Sequence, residues 1–205
     1  MTSLTLTHLL AFNAALFLAV ASPGPAFLVC VQASLTGGRK AGVLTGLGLA
    51  VMAGLWTLAA LLGLDTLFTL FPLIYTAMKI GGALLVVVFA VLIWRNASEP
   101  IAQDIVAVSK SRAFLRGILM NLGNPKSILF SAGVLLVIFP AGLSAAEMTL
   151  ITVNHIALEA AVYATLAFLL SRARIRAKYL SMKPTLGRAT ALVLGGLGIR
   201  LLVTS

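Results

Sequence analysis

Six apolar runs, separated by short polar stretches, divide the chain. They cover about His8 to Val31, Gly42 to Leu64, Phe71 to Trp94, Ala113 to Phe139, Met148 to Leu170 and Ala189 to Val203. A membrane-crossing helix needs about 20 predominantly apolar residues. The runs meet or approach that length, and the sixth is short and contains Arg200. The pattern predicts an all-α polytopic membrane protein with six transmembrane helices in one domain, residues 1–205. Two of the six are interrupted. Ser22-Pro23-Gly24-Pro25 breaks the first run, and Asn121-Leu122-Gly123-Asn124-Pro125-Lys126 breaks the fourth.

Pro23 and Pro125 lie 102 positions apart in a chain of 205 residues. The interruptions thus occupy matching places in two halves, and such pairs point to transporters built from repeats. Three helices per half is an odd number, so the second half enters the membrane with opposite polarity. A 3+3 inverted repeat with broken helices one and four is expected, with half-repeats 1–95 and 113–205 joined by a cytoplasmic loop. Within that loop, the polar stretch Asn96 to Ser111 holds Glu99, Pro100 and Asp104 and has room for a short interfacial turn.

Composition agrees with lipid as the main solvent. The chain is 60% hydrophobic and 10% charged, too few polar residues to cover a water-soluble surface. Its net charge of +10 does not imply nucleic acid, because the basic residues cluster between apolar runs, where anionic lipid headgroups account for them. Arg39 and Lys40 follow the first run; Arg95, Lys110, Arg112 and Arg116 surround the gap after the third. Arg172, Arg174, Arg176, Lys178, Lys183 and Arg188 follow the fifth. The positive-inside rule puts these three loops in the cytoplasm and both termini outside. Ala19-Val20-Ala21 imitates a signal-peptidase site, but no Lys or Arg precedes it, so the segment is expected to be retained. Cys30, the only cysteine, excludes an internal disulfide and reads as a small packing residue.

The interruptions carry the candidate chemistry. Proline lacks an N–H and clashes with the carbonyl four residues back. Ser22, Pro23, Gly24 and Pro25 therefore free carbonyls at membrane depth, tolerated only beside protein or water. The helix start after Pro25 presents N–H groups suited to a carboxylate. Lys126 stands about 12 residues into its run, roughly 18 Å from the inner boundary. An ammonium at such depth costs about 2.5 to 3.5 kcal/mol on insertion scales, so it is expected to face a cavity or a partner. Asn121 and Asn124 either add hydrogen bonds to that cavity or satisfy freed carbonyls.

In the fifth run His155, Glu159 and Tyr163 recur every four residues and share one helix face. Two readings stand side by side: Glu159 pairs with Lys126 or carries protons, or Glu159 is neutral and bonds to His155 for packing. Glycines 42, 46, 48 and 54, and again 195, 196 and 198, allow close helix contact within one chain or between two, so a homodimer is an alternative. Trp56 and Trp94 are expected in packing or at an interface.

Taken together, Ser22-Pro23-Gly24-Pro25, Gly38-Arg39-Lys40-Ala41-Gly42 with Gly46, Asn121-Leu122, Asn124-Pro125-Lys126 and Tyr163-Ala164 resemble the LysE/RhtB superfamily of amino-acid exporters. Their order and spacing match over nearly the whole chain. The resemblance implies a bacterial inner-membrane exporter of amino acids or derivatives, driven by the proton gradient. It places functional positions on the Pro-Gly-Pro and Asn-Pro-Lys residues. The chain departs from the family in three places. Ile156 stands where members often carry Asp, Leu85 where they carry Tyr in the third run, and Pro140-Ala141-Gly142 where Pro-Gln-Phe is common. These departures bear on the substrate and the coupling residue more than on the fold.

The expectation is a secondary transporter that binds a zwitterionic amino acid between the two interruptions, with lipids and protons as its other partners. The substrate carboxylate meets the helix start after Pro25, or Lys126; its ammonium meets freed carbonyls, or Glu159; Glu159 and His155 couple protons. The alternatives are a membrane-embedded enzyme or a passive channel. The chain has no HExxH, GxSxG, intramembrane Asp pair or Cys pair, so no catalytic residue, metal or cofactor is expected.

Overall fold

The computed structural model describes residues 4–22, 24–70, 74–98 and 112–204. Pro23 and the loop 99–111, with Glu99, Pro100, Asp104 and Lys110, lie outside the described residues, as do the side chains of Pro25, Lys79, Leu85 and Pro125. Every described element is a helix. In chain order they are α1 (Leu6–Ala21), α2 (Pro25–Thr36), α3 (Gly38–Leu70), α4 (Ile74–Asn96), α5 (Ala113–Leu122), α6 (Pro125–Ile138), α7 (Ala145–Leu170), α8 (Ala173–Ser181) and α9 (Lys183–Thr204).

The helix starts follow from local chemistry. Thr5 and His8 form a capping box at α1, and Ser144 and Glu147 form another at α7. The second carboxylate oxygen of Glu147 accepts from the Leu4 amide at 2.9 Å, tying the start of α1 to the start of α7. Pro25 and Pro125 begin α2 and α6. A missing N–H costs nothing at the first helical position, so each proline ends one helix and opens the next. Both interruptions expected from the sequence are present, and α1 and α2 meet at a bend of 57°.

By length and composition, α3 and α7 are long and apolar enough to cross a membrane, and the bent pair α1–α2 brings the number to three if it is one span. α5 and parts of α4 and α6 are shorter apolar helices. Leu10, Leu55, Val88, Leu119, Val153 and Leu192 are exposed apolar side chains on six different helices. Hydrocarbon, not water, is the solvent such a surface suits. Residues 171–188 read from the sequence as a basic loop, whereas most of them fold as α8 and the first turns of α9.

Small residues set the packing. α3 and α7 run antiparallel: Gly42 faces Ala167, Gly46 faces Tyr163 and Gly54 faces Ile156. α3 and α5 touch backbone to backbone, since a Cβ on Gly48 would fall 2.1 Å from the Phe114 oxygen and one on Gly117 would fall 2.2 Å from the Thr45 oxygen. The glycine stripe of α3 is thus used inside the chain. On α9, Gly198 packs against α4, while Gly196 faces open space. α4 packs mainly on α9, and the two broken pairs meet each other at the centre.

Candidate functional site

At the first break, two carbonyls that lose helical donors are taken up by side chains from two other helices, and a third helix adds a donor nearby. The Ala21 carbonyl would receive the amide of Pro25, which has none; the Tyr179 hydroxyl of α8 donates to it instead. The Ser22 carbonyl accepts from Lys126 Nζ at 3.0 Å. The Leu18 carbonyl accepts from the Ser22 amide at 3.1 Å and from the Thr190 hydroxyl of α9 at 3.1 Å. Buried carbonyls need such partners, and here side chains replace the missing helix. Gly24 is extended and starts α2 without a side-chain cap. A Cβ built on it would lie 3.8 Å from Lys126 Nζ.

At the second break, Asn124 turns the chain. Its Oδ1 accepts from the Lys126 amide at 3.1 Å and its Nδ2 donates to Ser127 Oγ at 3.2 Å. This cap fixes the first turn of α6 and aims Lys126 at the other break. Asn121 does a different job. It is fully buried and its Nδ2 donates to the Leu49 carbonyl of α3 at 2.9 Å, while its backbone carbonyl accepts from Trp56 Nε1 at 3.4 Å.

The third component is one stripe of α7. His155, Glu159 and Tyr163 are all buried. Glu159 Oε2 lies 2.8 Å from His155 Nε2. The other ring nitrogen, Nδ1, lies 2.7 Å from Thr57 Oγ1 on α3, which is 3.3 Å from Ser131 Oγ on α6. A continuous polar chain therefore crosses from α7 through α3 to α6.

These parts enclose a cavity of roughly 430 Å³ of empty space, its open mouth included. Its polar wall comes from Ser22 and Gly24 at the first break, Asn124, Lys126 and Ser127 at the second, and His155, Glu159 and Tyr163 on α7. Its apolar wall comes from Leu16, Ala19, Val20, Phe27, Ala53 and Phe130. Aromatic contacts bound it on two sides. Phe130 meets His155 and Phe12 with ring centroids 6.2 and 6.0 Å apart, and Phe27 stacks on Tyr179 at 5.1 Å. The cavity thus brings the amino group of Lys126, the carboxyl group of Glu159 and the start of α2 at Gly24 to one place.

The profile of the LysE type translocator family matches residues 16–205. The chain belongs to that family. It is similar to a threonine efflux protein of Salmonella typhi, 27% identical over 197 residues that cover 91% of this chain and 93% of the relative. It is also similar to a homoserine/homoserine lactone efflux protein of Salmonella typhimurium, 30% identical over 151 residues, 71% of this chain and 73% of that one. An uncharacterised membrane protein of Escherichia coli, YahN, is 37% identical over 112 residues, 53% of this chain and 50% of that protein, so this match spans half the relative's length. No solved structure matches.

In this LysE type translocator the residues singled out in the sequence mostly converge. Ser22, Gly24, Asn124, Lys126, His155 and Glu159 line one cavity; Asn121 stands outside it. Of the two pairings drawn from the sequence for Glu159, the structure has the one with His155. Lys126 shares the cavity with Glu159 and binds the Ser22 carbonyl. Sequence reasoning missed Thr57, Ser131 and Tyr179. Thr57 and Ser131 are hydroxyls inside apolar runs, a weak signal because such groups also bond back to their own helix. Tyr179 sits among basic residues that read as a solvated loop.

Proposed function

We propose that this LysE type translocator is a proton-coupled secondary transporter that exports amino acids or small amino-acid derivatives across the bacterial inner membrane. The observation that carries the reading is the single cavity where both helix breaks meet the His155–Glu159 face of α7. The substrate carboxylate docks at the start of α2 beside Gly24, or on Lys126. Its ammonium takes the place of Lys126 Nζ on the Ser22 carbonyl, or approaches Glu159. Glu159, held by His155, takes up and releases the coupled proton. The names of the threonine and homoserine/homoserine lactone efflux relatives support a small neutral amino acid as the first candidate.

Six crossings follow if α1–α2, α3, α4, α5–α6, α7 and α9 each span the bilayer, with both termini outside. A 3+3 inverted repeat is supported by which helices touch. α3 with α7 and α4 with α9 pair each helix with its counterpart in the other half. Exchanging the halves also converts α1–α6 into α2–α5, α3–α5 into α1–α7 and α3–α6 into α2–α7, and all these pairs are in contact. The contacts α2–α3, α4–α6 and α1–α9 have no counterpart of similar extent. The orientation is supported by the basic residues at helix ends. Arg39 reaches Ser171 Oγ at 3.4 Å, Lys183 the Asn96 carbonyl at 3.2 Å and Arg188 the Ser98 hydroxyl at 3.5 Å, contacts that support a common side for the three loops.

The test is a panel of amino-acid efflux assays in cells with and without the protein, and with and without a proton uncoupler. Protein-dependent efflux of particular amino acids that the uncoupler abolishes is the expected result. Undiminished export by a Lys126→Met/Glu159→Gln variant would overturn the mechanism. Product release from labelled lipid by pure protein would favour an enzyme instead.

A further inference from the structure

α8 is a nine-residue helix with a divided surface. Arg174, Ala177 and Lys178 are exposed, while Ile175, Tyr179 and Leu180 pack against the main apolar core. Tyr179 spans 158 positions of sequence to donate its hydroxyl to the Ala21 carbonyl, which Pro25 leaves without a helical donor. Its ring lies flat on Phe27, 15° from parallel, and Phe27 also lines the cavity. Burial pushes the Tyr179 phenol up to about 12, so the group remains a donor at neutral pH. The side chain therefore caps a broken helix and backs a cavity wall at once.

The surroundings of α8 suit motion. Short irregular joints at Ser171-Arg172 and at Met182 flank it, and it touches α7 and α9 only lightly. A short helix held by one apolar stripe and light contact with its chain neighbours opens at lower cost than the long helices of the core. Its exposed basic face suits anionic headgroups, which would hold it at the membrane surface once it withdrew.

We propose that α8 is the cytoplasmic gate of the transport cycle, and that Tyr179 latches it shut against Ala21 and Phe27. This proposal rests on the transport reading and its orientation. On this proposal the stack of Phe27 on Tyr179 stands between the cavity that Phe27 lines and the cytoplasm. Loading from the cytoplasm requires the ring stack to part and the Ala21 carbonyl to be released. Tyr179 is a gating residue that touches no substrate.

The test uses the full chain with Cys30→Ala and a reporter, Ser127→Cys, in the cavity wall. A membrane-impermeant thiol reagent is applied to inside-out and right-side-out vesicles, without substrate. Tyr179→Ala is expected to raise the labelling rate from the cytoplasmic face at least about tenfold and to leave the rate from the outer face unchanged. Tyr179→Phe, which keeps the stack and loses the hydroxyl, is expected to give a smaller rise with the same sidedness. It decides the matter alone if Tyr179→Ala does not fold, as judged by size exclusion in detergent. Unchanged labelling in folded variants, or an equal rise from both faces, would overturn the gate. Because labelling needs no substrate, failure of the parent to export would count against the transport reading and would leave the gate to be judged by labelling.

Discussion

Lys126 Nζ donates to the carbonyl of Ser22 at 3.0 Å, so an ammonium from the second helix break rests on the first, 104 positions earlier in sequence. The same donor chemistry belongs to the ammonium of an amino acid. In the proposed cycle Lys126 occupies that carbonyl while the site is empty, and the substrate displaces it. Lys126→Met leaves a buried carbonyl without a partner, which costs about 1–3 kcal/mol. Net export is expected to fall at least about tenfold, the equivalent of roughly 1.4 kcal/mol. Exchange of labelled for unlabelled substrate should suffer less, since it never requires the empty carrier to reorient. Parallel measurement of net efflux and exchange in proteoliposomes checks this; equal losses would remove Lys126 from the empty-state role.

Glu159 and His155 form the link on which proton coupling depends in this account. Glu159→Gln keeps shape and hydrogen-bonding capacity but cannot ionise. Downhill exchange should persist, while the dependence of net efflux on an imposed pH gradient should vanish. Thr57→Val removes the partner of His155 Nδ1 with little change in volume. It should shift the pH profile of export rather than abolish export. Profiles of initial rate against pH for the three proteins provide the check.

Close packing separates two kinds of glycine on α3. Gly48→Ala drives a methyl to 2.1 Å from the Phe114 backbone oxygen, and backbone cannot rotate aside. Overpacking of this kind costs about 1–3 kcal/mol, and more where backbone must move. Gly63→Ala meets nothing within 4 Å and should be neutral or stabilise by about 0.5–1 kcal/mol through helix propensity. Thermal unfolding in detergent, compared with the parent, distinguishes the two.

Much of this arrangement was legible in the chain. Proline and glycine mark both breaks because their backbone effects are local, and the four-residue spacing of His155, Glu159 and Tyr163 assigns one face without knowledge of the neighbours. Partners were less legible. The long stem of Lys126 reaches either Glu159 or Ser22 from the same depth, and only the packed helices decide between them. Asn121 and Asn124 look alike in sequence, yet the helix break between them turns one toward α3 and the other into the cavity. α8 escaped because Ile175, Tyr179 and Leu180 lie among Arg172, Arg174, Arg176 and Lys178, which hide a short apolar stripe. Its contact with Phe27 is a tertiary fact with no local signal.

The two asparagines should therefore behave differently. Asn121→Ala removes the link to the Leu49 carbonyl and is expected to lower stability by about 0.5–1.5 kcal/mol, with KM unchanged per folded molecule. Asn124→Ala removes the α6 cap, worth about 1 kcal/mol, and releases the turn that aims Lys126, so KM should rise as well. Unfolding midpoints and KM values measured on the same preparations compare them; a raised KM for Asn121→Ala would put that residue in the site.

The central claim, that the exported molecule sits between the two helix breaks, is tested most directly by substrate protection. Gly24→Cys in a Cys30→Ala background puts a thiol beside Lys126, where the nearest atom to a new Cβ is 3.8 Å away. Leu62→Cys, on the exposed side of α3, serves as the control. An amino acid that the protein exports should slow thiol labelling at position 24, half-maximally near its KM, and leave labelling at position 62 unchanged. Labelling at position 24 that proceeds at full rate while export is saturated would contradict the account.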